Sequence, residues 1–371
     1  MRSPGLASTS VAAVGSMLVG AGLAVVFAGA PTSSSAGGTA PAFTPPPPKP
    51  PPATFTLAAG GDLALAGEPT RALLAGVRRF LQPADLAIAN LEGTLTGGGS
   101  SRCVADPQAG CFVFRASTGW GATLRSSGLT MLNVANNHAL DFGPEAQAET
   151  LATLRRARLA FDGLPGRITT VKAGRVRVAV IGAAPYRWAQ NLLDVAGTAQ
   201  LVRRAARSAD VVVVYLHAGA EGSAAGHVTG RGEMYLGEPR GNPAEFAHVM
   251  IDAGADVVLA SGPHILRGLE WYRGRLVAYS LGNLASSHTL SSGGVLGESV
   301  LLRLTLDARG RFVRGSLVPL RLDAWGTPSF DPGRASLVLL RTVSRQDFGP
   351  RGAAIGPGGA LSGLSGAVRT P

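Results

Sequence analysis

The chain has 371 residues, 46% of them hydrophobic and 15% charged. This excludes a disordered or fibrous chain and leaves, once both ends are set aside, about 290 residues for one large domain with a sizeable core. Net charge is +11, and all but two of the 34 basic residues are arginine (Lys49 and Lys172 are the exceptions). No basic run is interleaved with stacking aromatics, so nucleic acid is not an expected partner. The basic balance suits polyanionic polymers or anionic lipid headgroups.

Val11 to Ala30 is an apolar run preceded by Arg2 and followed by Pro31-Thr32-Ser33-Ser34. Ala28-Gly29-Ala30 has the small-x-small form of a cleavage site, so residues 1–30 read as a secretory signal peptide. The run is also close to the ~20 residues that span a bilayer, which keeps an uncleaved membrane anchor open. Either outcome implies export, with the remainder secreted or held at the extracellular face of the membrane. Residues 31–53 are a Pro-rich linker dominated by Pro45-Pro46-Pro47-Pro48 and Pro50-Pro51-Pro52, a stiff spacer of about 3.1 Å per residue. The folded domain is expected over 54–341. Residues 342–371, Gly-rich with few large apolar side chains, are expected to form a disordered tail.

Within the domain, strands and helices alternate. A strand over Phe55 to Ala59 ends at Gly60-Gly61-Asp62, and a helix follows near Thr70 to Leu81. The strand Asp85 to Ala89 ends at Asn90-Leu91-Glu92. Cys103 and Cys111 lie in the next loop. In an exported protein they would form a disulfide contributing roughly 2–3 kcal/mol, and otherwise a buried pair of thiols. A helix near Thr118 to Ser127 precedes the strand Leu129 to Ala135, which runs into Asn136-Asn137-His138, and Pro144 opens a helix reaching about Ala157. Arg177 to Ile181 and Val211 to Leu216 are nearly continuous β-branched runs, as in strands buried on both faces. Asn242 to Ala253 reads as helix, and Val257 to Ala260 and Leu276 to Ser280 read as strands. Ser299 to Leu306 and Arg311 to Pro319 read as a hairpin. Such alternation means an α/β fold.

Polar residues recur where these strands end: Asp62, Glu92, Asn137 with His138, His217 and His264. Singly, each has an ordinary explanation as a turn, cap or core residue. Together, carboxylates, an amide and imidazoles at one sheet edge form a hard to borderline ligand set for a divalent cation. Open α/β sheets place their chemistry at that edge.

The order Gly61-Asp62, Asn90-Leu91-Glu92, Asn136-Asn137-His138 with Asp141, His217-Ala218-Gly219-Ala220-Glu221, Pro263-His264 and Tyr279-Ser280-Leu281-Gly282-Asn283 resembles the CapA-type capsule and poly-γ-glutamate biosynthesis proteins, a branch of the calcineurin-like metallophosphoesterases. The resemblance covers about Phe55 to Asn283. It implies a four-layer α/β/β/α sandwich with one or two divalent ions (Mn, Fe, Zn or Mg). On these positions Asp62 and His264 would hold one ion, Asn137 and His217 a second, and Glu92 would bridge. His138 would donate the proton or stabilise the transition state, with Glu221 an additional base or ligand and Asp141 and Asn283 orienting their neighbours. The implied substrate is a phosphoester or an anionic envelope polymer, and the implied partner a membrane-associated biosynthesis machinery. The sequence departs from the pattern at Ser261-Gly262, where relatives carry histidine two residues before the one matching His264. That leaves two readings, a metal-dependent hydrolase or transferase and a degenerate polymer-binding or export component. His227, Glu233 or His288 would be substitute ligands, whereas His248 reads as packing.

Overall fold

Strand runs that are apolar at every position must be covered on both sides, and the chain does this by stacking two sheets and coating each with helices. The computed structural model describes residues 53–105 and 111–363. The expected signal or anchor, nearly all of the Pro-rich linker and the last eight residues lie outside them. No helix among the described residues is long and apolar enough to cross a membrane.

The first sheet has a parallel centre, Thr54–Ala64, Leu86–Glu92, Met131–Asn133 and Ala160–Asp162. The antiparallel pair Glu298–Asp307 and Phe312–Leu322 extends it on the other side of Thr54–Ala64. The second sheet is built on parallel Val176–Ala183, Val211–His217, Val257–Ser261 and Arg275–Leu281. Antiparallel Thr169–Ala173 and Leu266–Tyr272 form its edges.

Alternation along the strands shows the layering. Leu57, Ile88, Val178, Val213 and Leu259 share one buried cluster between the sheets. Their neighbours Ala58 and Ala87 face a second cluster with the helices Ala75–Leu81, Trp120–Ser126 and Gly143–Arg156. Ala179, Val212 and Val258 face a third with Val195–Ala206 and Pro243–Asp252. The architecture is therefore the expected α/β/β/α sandwich. Each fully buried Val or Leu contributes about 1.5–3 kcal/mol before entropy is counted. Helix entry is fixed locally: Asn242 accepts from the Glu245 amide at 3.3 Å with Pro243 in the first turn, and Asp194 accepts from the Gly197 amide at 2.9 Å.

Two expectations about extent are corrected. The domain does not stop at 341, and the tail is not disordered from 342. The helix Ala335–Phe348 buries Leu337, Leu340 and Val343 in the inter-sheet core, and Ala360–Ser362 pairs with Phe312–Leu322. A stripe of large apolar residues at helical spacing supplied what the glycine-rich composition concealed. Several boundaries also shift: the expected Thr70 to Leu81 helix is Ala75–Leu81, and the Leu129 to Ala135 strand is Met131–Asn133. The Cys103–Cys111 disulfide is formed.

Candidate metal centre

Strand direction puts the candidate ligands together. Thr54–Ala64, Leu86–Glu92, Val211–His217 and Val257–Ser261 deliver Asp62, Glu92, His217 and the turn before His264 to the same end of the sandwich. A register shift between Ala59 and Asp62 bends the first strand there. Gly61 permits it: a Cβ would stand 1.8 Å from the Gly282 carbonyl oxygen, the group that accepts from the Asp62 amide at 3.1 Å. The Tyr215 hydroxyl donates to the Gly60 carbonyl at 2.6 Å, tying the bend to the second sheet.

Ligand atoms of Asp62, Glu92 and His264 all lie within 4.8 Å of one another. Asp62, fully buried, accepts from Asn90 Nδ2 at 2.8 Å and from the Gly262 amide at 2.9 Å. Its two oxygens face His217 Nδ1 at 3.4 Å and His264 Nδ1 at 3.3 Å. Glu92 Oε1 faces His264 Nε2 at 3.5 Å, His217 Nε2 at 3.7 Å and His138 Nε2 at 3.9 Å. His264 has a φ of +56°, uncommon for a residue with a side chain, and its Nδ1 lies 2.9 Å from Asn283 Oδ1. That contact turns Nε2 toward Glu92.

Both Glu92 carboxylate oxygens, His217 Nε2 and Asn137 Oδ1 are buried with no hydrogen-bond partner. Buried acceptors without donors are costly, and a cation is the partner that carboxylate, imidazole and amide oxygen share. The residues therefore fit a divalent ion held by Asp62, Glu92 and His264. Glu92, His217 and Asn137 are left as a sparser set for a second ion. Gly262 supplies no imidazole: its φ of +112° disfavours any side chain, and a Cβ would sit 3.0 Å from the Ala218 amide nitrogen. The Ser261 hydroxyl is buried and unpartnered.

Electrostatics carry the same signature. Burial pushes Asp62 upward, but hydrogen bonds from His217 and His264 outweigh it and hold the carboxyl well below its usual range. Glu92 has no such donors, and burial raises it far above an ordinary glutamate. Burial lowers His217. Burial also opposes the charged form of His264, yet the Glu92 and Asp62 carboxylates overcome it and push the imidazole up to about 10.

His138 Nδ1 lies 2.7 Å from Asp141 Oδ2, and Asp141 accepts from Arg102 Nε and the Phe114 amide at 2.8 and 2.7 Å. Asn137, His138 and Glu221 line a cleft of about 160 Å³ beside the cluster. Glu221 Oε2 is 3.7 Å from His264 Nε2, and its other oxygen accepts from Arg240 at 2.7 Å. The substitute ligands go elsewhere: His227 pairs with Asp347, Glu233 with Arg267, and His288 Nδ1 with the Ala324 carbonyl. His248 packs against Tyr272 and pairs with Glu270.

Sequence reading missed three residues that shape the site. Asn90 spans Asp62 and His217, and its oxygen accepts from Asn133 and Asn136. Its signal was its place two residues before Glu92. Arg240 and Trp188 wall the cleft, with the Trp188 indole donating to the Asn136 carbonyl at 3.0 Å. Neither carries a sequence signal.

Residues 55–288 match the family described as bacterial capsule synthesis protein PGA_cap. The chain belongs to this family. The PGA biosynthesis protein CapA of Bacillus subtilis (strain 168) is 29% identical over 177 residues, covering 43% of each chain. The capsule biosynthesis protein CapA of Bacillus anthracis is 29% identical over 248 residues, 60% of this chain and 56% of that one. The chain thus spans about half the length of these relatives. Among solved structures, a 5'-nucleotidase precursor from Thermus thermophilus aligns at 15% identity over 78% of this chain and 58% of its own, with a TM-score of 0.41. That likeness is too slight to argue from.

Proposed function

We propose that the chain is an exported, metal-dependent hydrolase or transferase of capsule or poly-γ-glutamate biosynthesis, acting on an anionic envelope polymer or its phosphoester precursor. The observation that carries this reading is the convergence of unpartnered Glu92 and His217 atoms on the Asp62–His264 pair, with the His138–Asp141 pair beside them. The family membership and the names of its relatives support the biosynthetic setting.

Asp62, Glu92 and His264 would hold one divalent ion, and His217 and Asn137 would complete the shell of a second, with Glu92 shared. Bound there, a divalent ion polarises a phosphoryl or carboxyl oxygen and acidifies a water. The chain's own residues do the rest. Asp141 fixes the His138 ring through Nδ1, leaving Nε2 toward the cluster as the position from which a proton reaches a leaving oxygen. Arg240 holds Glu221 at the cleft, where its carboxylate takes up a proton from an incoming nucleophile. Trp188 lines the cleft and holds the Asn136 carbonyl through its indole.

The second reading, a polymer-binding or export component without turnover, is favoured by one observation: Gly262 and the unpartnered Ser261 stand where a further imidazole is expected. Turnover of a generic phosphodiester by the metal-loaded full chain, compared with His138→Ala, separates the two. The first reading expects activity that falls about 10²–10⁴-fold in the variant with metal content unchanged. Retained metal with no turnover in either protein selects the second.

A further inference from the structure

The two ends of the sandwich differ in charge. Parallel strands carry their C-terminal ends to the metal centre, so the helix C-termini and the turns entering those strands gather at the opposite pole. The helices Gly143–Arg156 and Val195–Ala206 end there on Arg155 and Arg156, and on Arg203 and Arg204, with Arg207 just beyond. A cation at a helix C-terminus complements the helix dipole, so these alone would be unremarkable. The hairpin turns have no such dipole, yet they are basic too. Lys172 and Arg175 flank the turn between Thr169–Ala173 and Val176–Ala183, and Arg309 and Arg311 the turn after Glu298–Asp307. All of these side chains are exposed, and none has an acidic partner among the described residues. The acids at this pole are already engaged: Asp210 with Arg177, Asp252 with Arg273, Asp256 with Arg275, Asp85 with Thr56, and Asp307 with the Arg309 and Arg311 amides.

We infer that this arginine-rich pole is a docking surface for an anionic lipid bilayer, with the metal centre directed away from the membrane. The chain's own course favours a bilayer over an acidic polymer. Thr54 begins the first strand at this pole, paired with Asp307, so the chain enters the domain there, after a sequence that includes the apolar Val11 to Ala30 run. A polymer bound there would lie a strand length, roughly 26 Å, from Asp62. A planar anionic surface needs no such reach, and several unpaired arginines within a Debye length of it add their attractions.

The test is co-sedimentation of the full chain with vesicles of pure phosphatidylcholine and of phosphatidylcholine with 30% phosphatidylglycerol (a composition chosen on the order of natural anionic content), at low and near-physiological salt. Insertion of the apolar run binds both vesicles alike, so the readout is the excess on anionic vesicles. The expected result is an excess of at least about ten-fold at low salt that shrinks as salt rises. Arg203→Glu/Arg204→Glu/Arg207→Glu should abolish it. The equal charge change Arg71→Glu/Arg187→Glu/Arg231→Glu, at exposed positions away from the pole, should leave most of it. If the first variant does not fold, Lys172→Glu/Arg175→Glu is read instead. No anionic excess, or equal loss in both triple variants, overturns the inference. So does an excess that the pole variants keep while losing retention of soluble polyglutamate.

Discussion

Asp256, just before the strand Val257–Ser261, and Glu92, the last residue of Leu86–Glu92, are acids at opposite ends of the same sandwich, and they are treated differently. Asp256 accepts from the Val212 amide at 2.8 Å and pairs with Arg275 at 2.9 Å. Burial raises its pKa and Arg275 restrains the rise. Glu92, fully buried, accepts nothing from the chain, and burial raises it far above the usual range even though His264 pulls the other way. An acid whose partners belong to the fold is structural. One left with lone pairs facing three imidazoles is waiting for a partner the chain does not encode.

The largest expected effect comes from Asp62, which has both roles. Asp62→Ala strands the Asn90 amide, the Gly262 amide and two imidazoles in a buried site, so stability should fall by about 3–5 kcal/mol in a denaturant titration. A loss under about 1 kcal/mol would mean that those contacts are not formed. Next is the disulfide at the cleft's rim. Cys103→Ser/Cys111→Ser should cost roughly 2–3 kcal/mol. It should also loosen Arg102, whose guanidinium joins Asp141 to the Phe112 carbonyl, so turnover should fall more than stability alone explains. Asp256→Asn should cost about 1–3 kcal/mol and leave metal binding untouched. Lost metal binding in that variant would erase the distinction between the two acids.

Glu92→Gln sharpens the comparison because its sign is opposite. Glu92 is raised above its unfolded value, so the metal-free fold loses stability as pH climbs past the ordinary glutamate range. The variant should therefore be at least as stable as the metal-free parent at pH 7, and the two should converge near pH 4. Metal entry must also displace the proton that burial and the neighbouring carboxylates hold on the Glu92–His264 pair. Affinity for a divalent ion should thus climb with pH, up to about ten-fold per unit for each proton released. Calorimetry in buffers of different ionisation enthalpy would count those protons, and a pH-independent affinity would contradict the picture.

What the sequence made legible was the part set by strand periodicity. β-branched runs such as Val211 to Leu216 had to be buried on both faces, and the polar residues ending them had to share an edge. The rest depended on tertiary detail. Arg240 sits in the four-residue strand Glu238–Gly241, within a polar Gly/Pro-bearing stretch that has no period to read. The helix Val195–Ala206 buries Thr198, Ala199, Leu201, Val202 and Ala205 on one face, but most of that face is small or polar rather than large and apolar. The C-terminal extension was misread because Leu337, Leu340 and Val343 belong to a helix that the boundary at 341 cut in two. Asn90 stood in plain view beside Glu92, but only the fold shows it reaching both Asp62 and His217.

The central claim is that the unsatisfied atoms around Glu92 are completed by a cation. Element analysis of the full chain after exposure to Mn, Fe, Zn and Mg and exhaustive dialysis, with Glu92→Gln alongside, tests it most directly. One or two equivalents of a divalent metal in the parent, lost from a variant that melts no lower, is the predicted result. A parent that retains no metal, or a variant that retains as much, would contradict it.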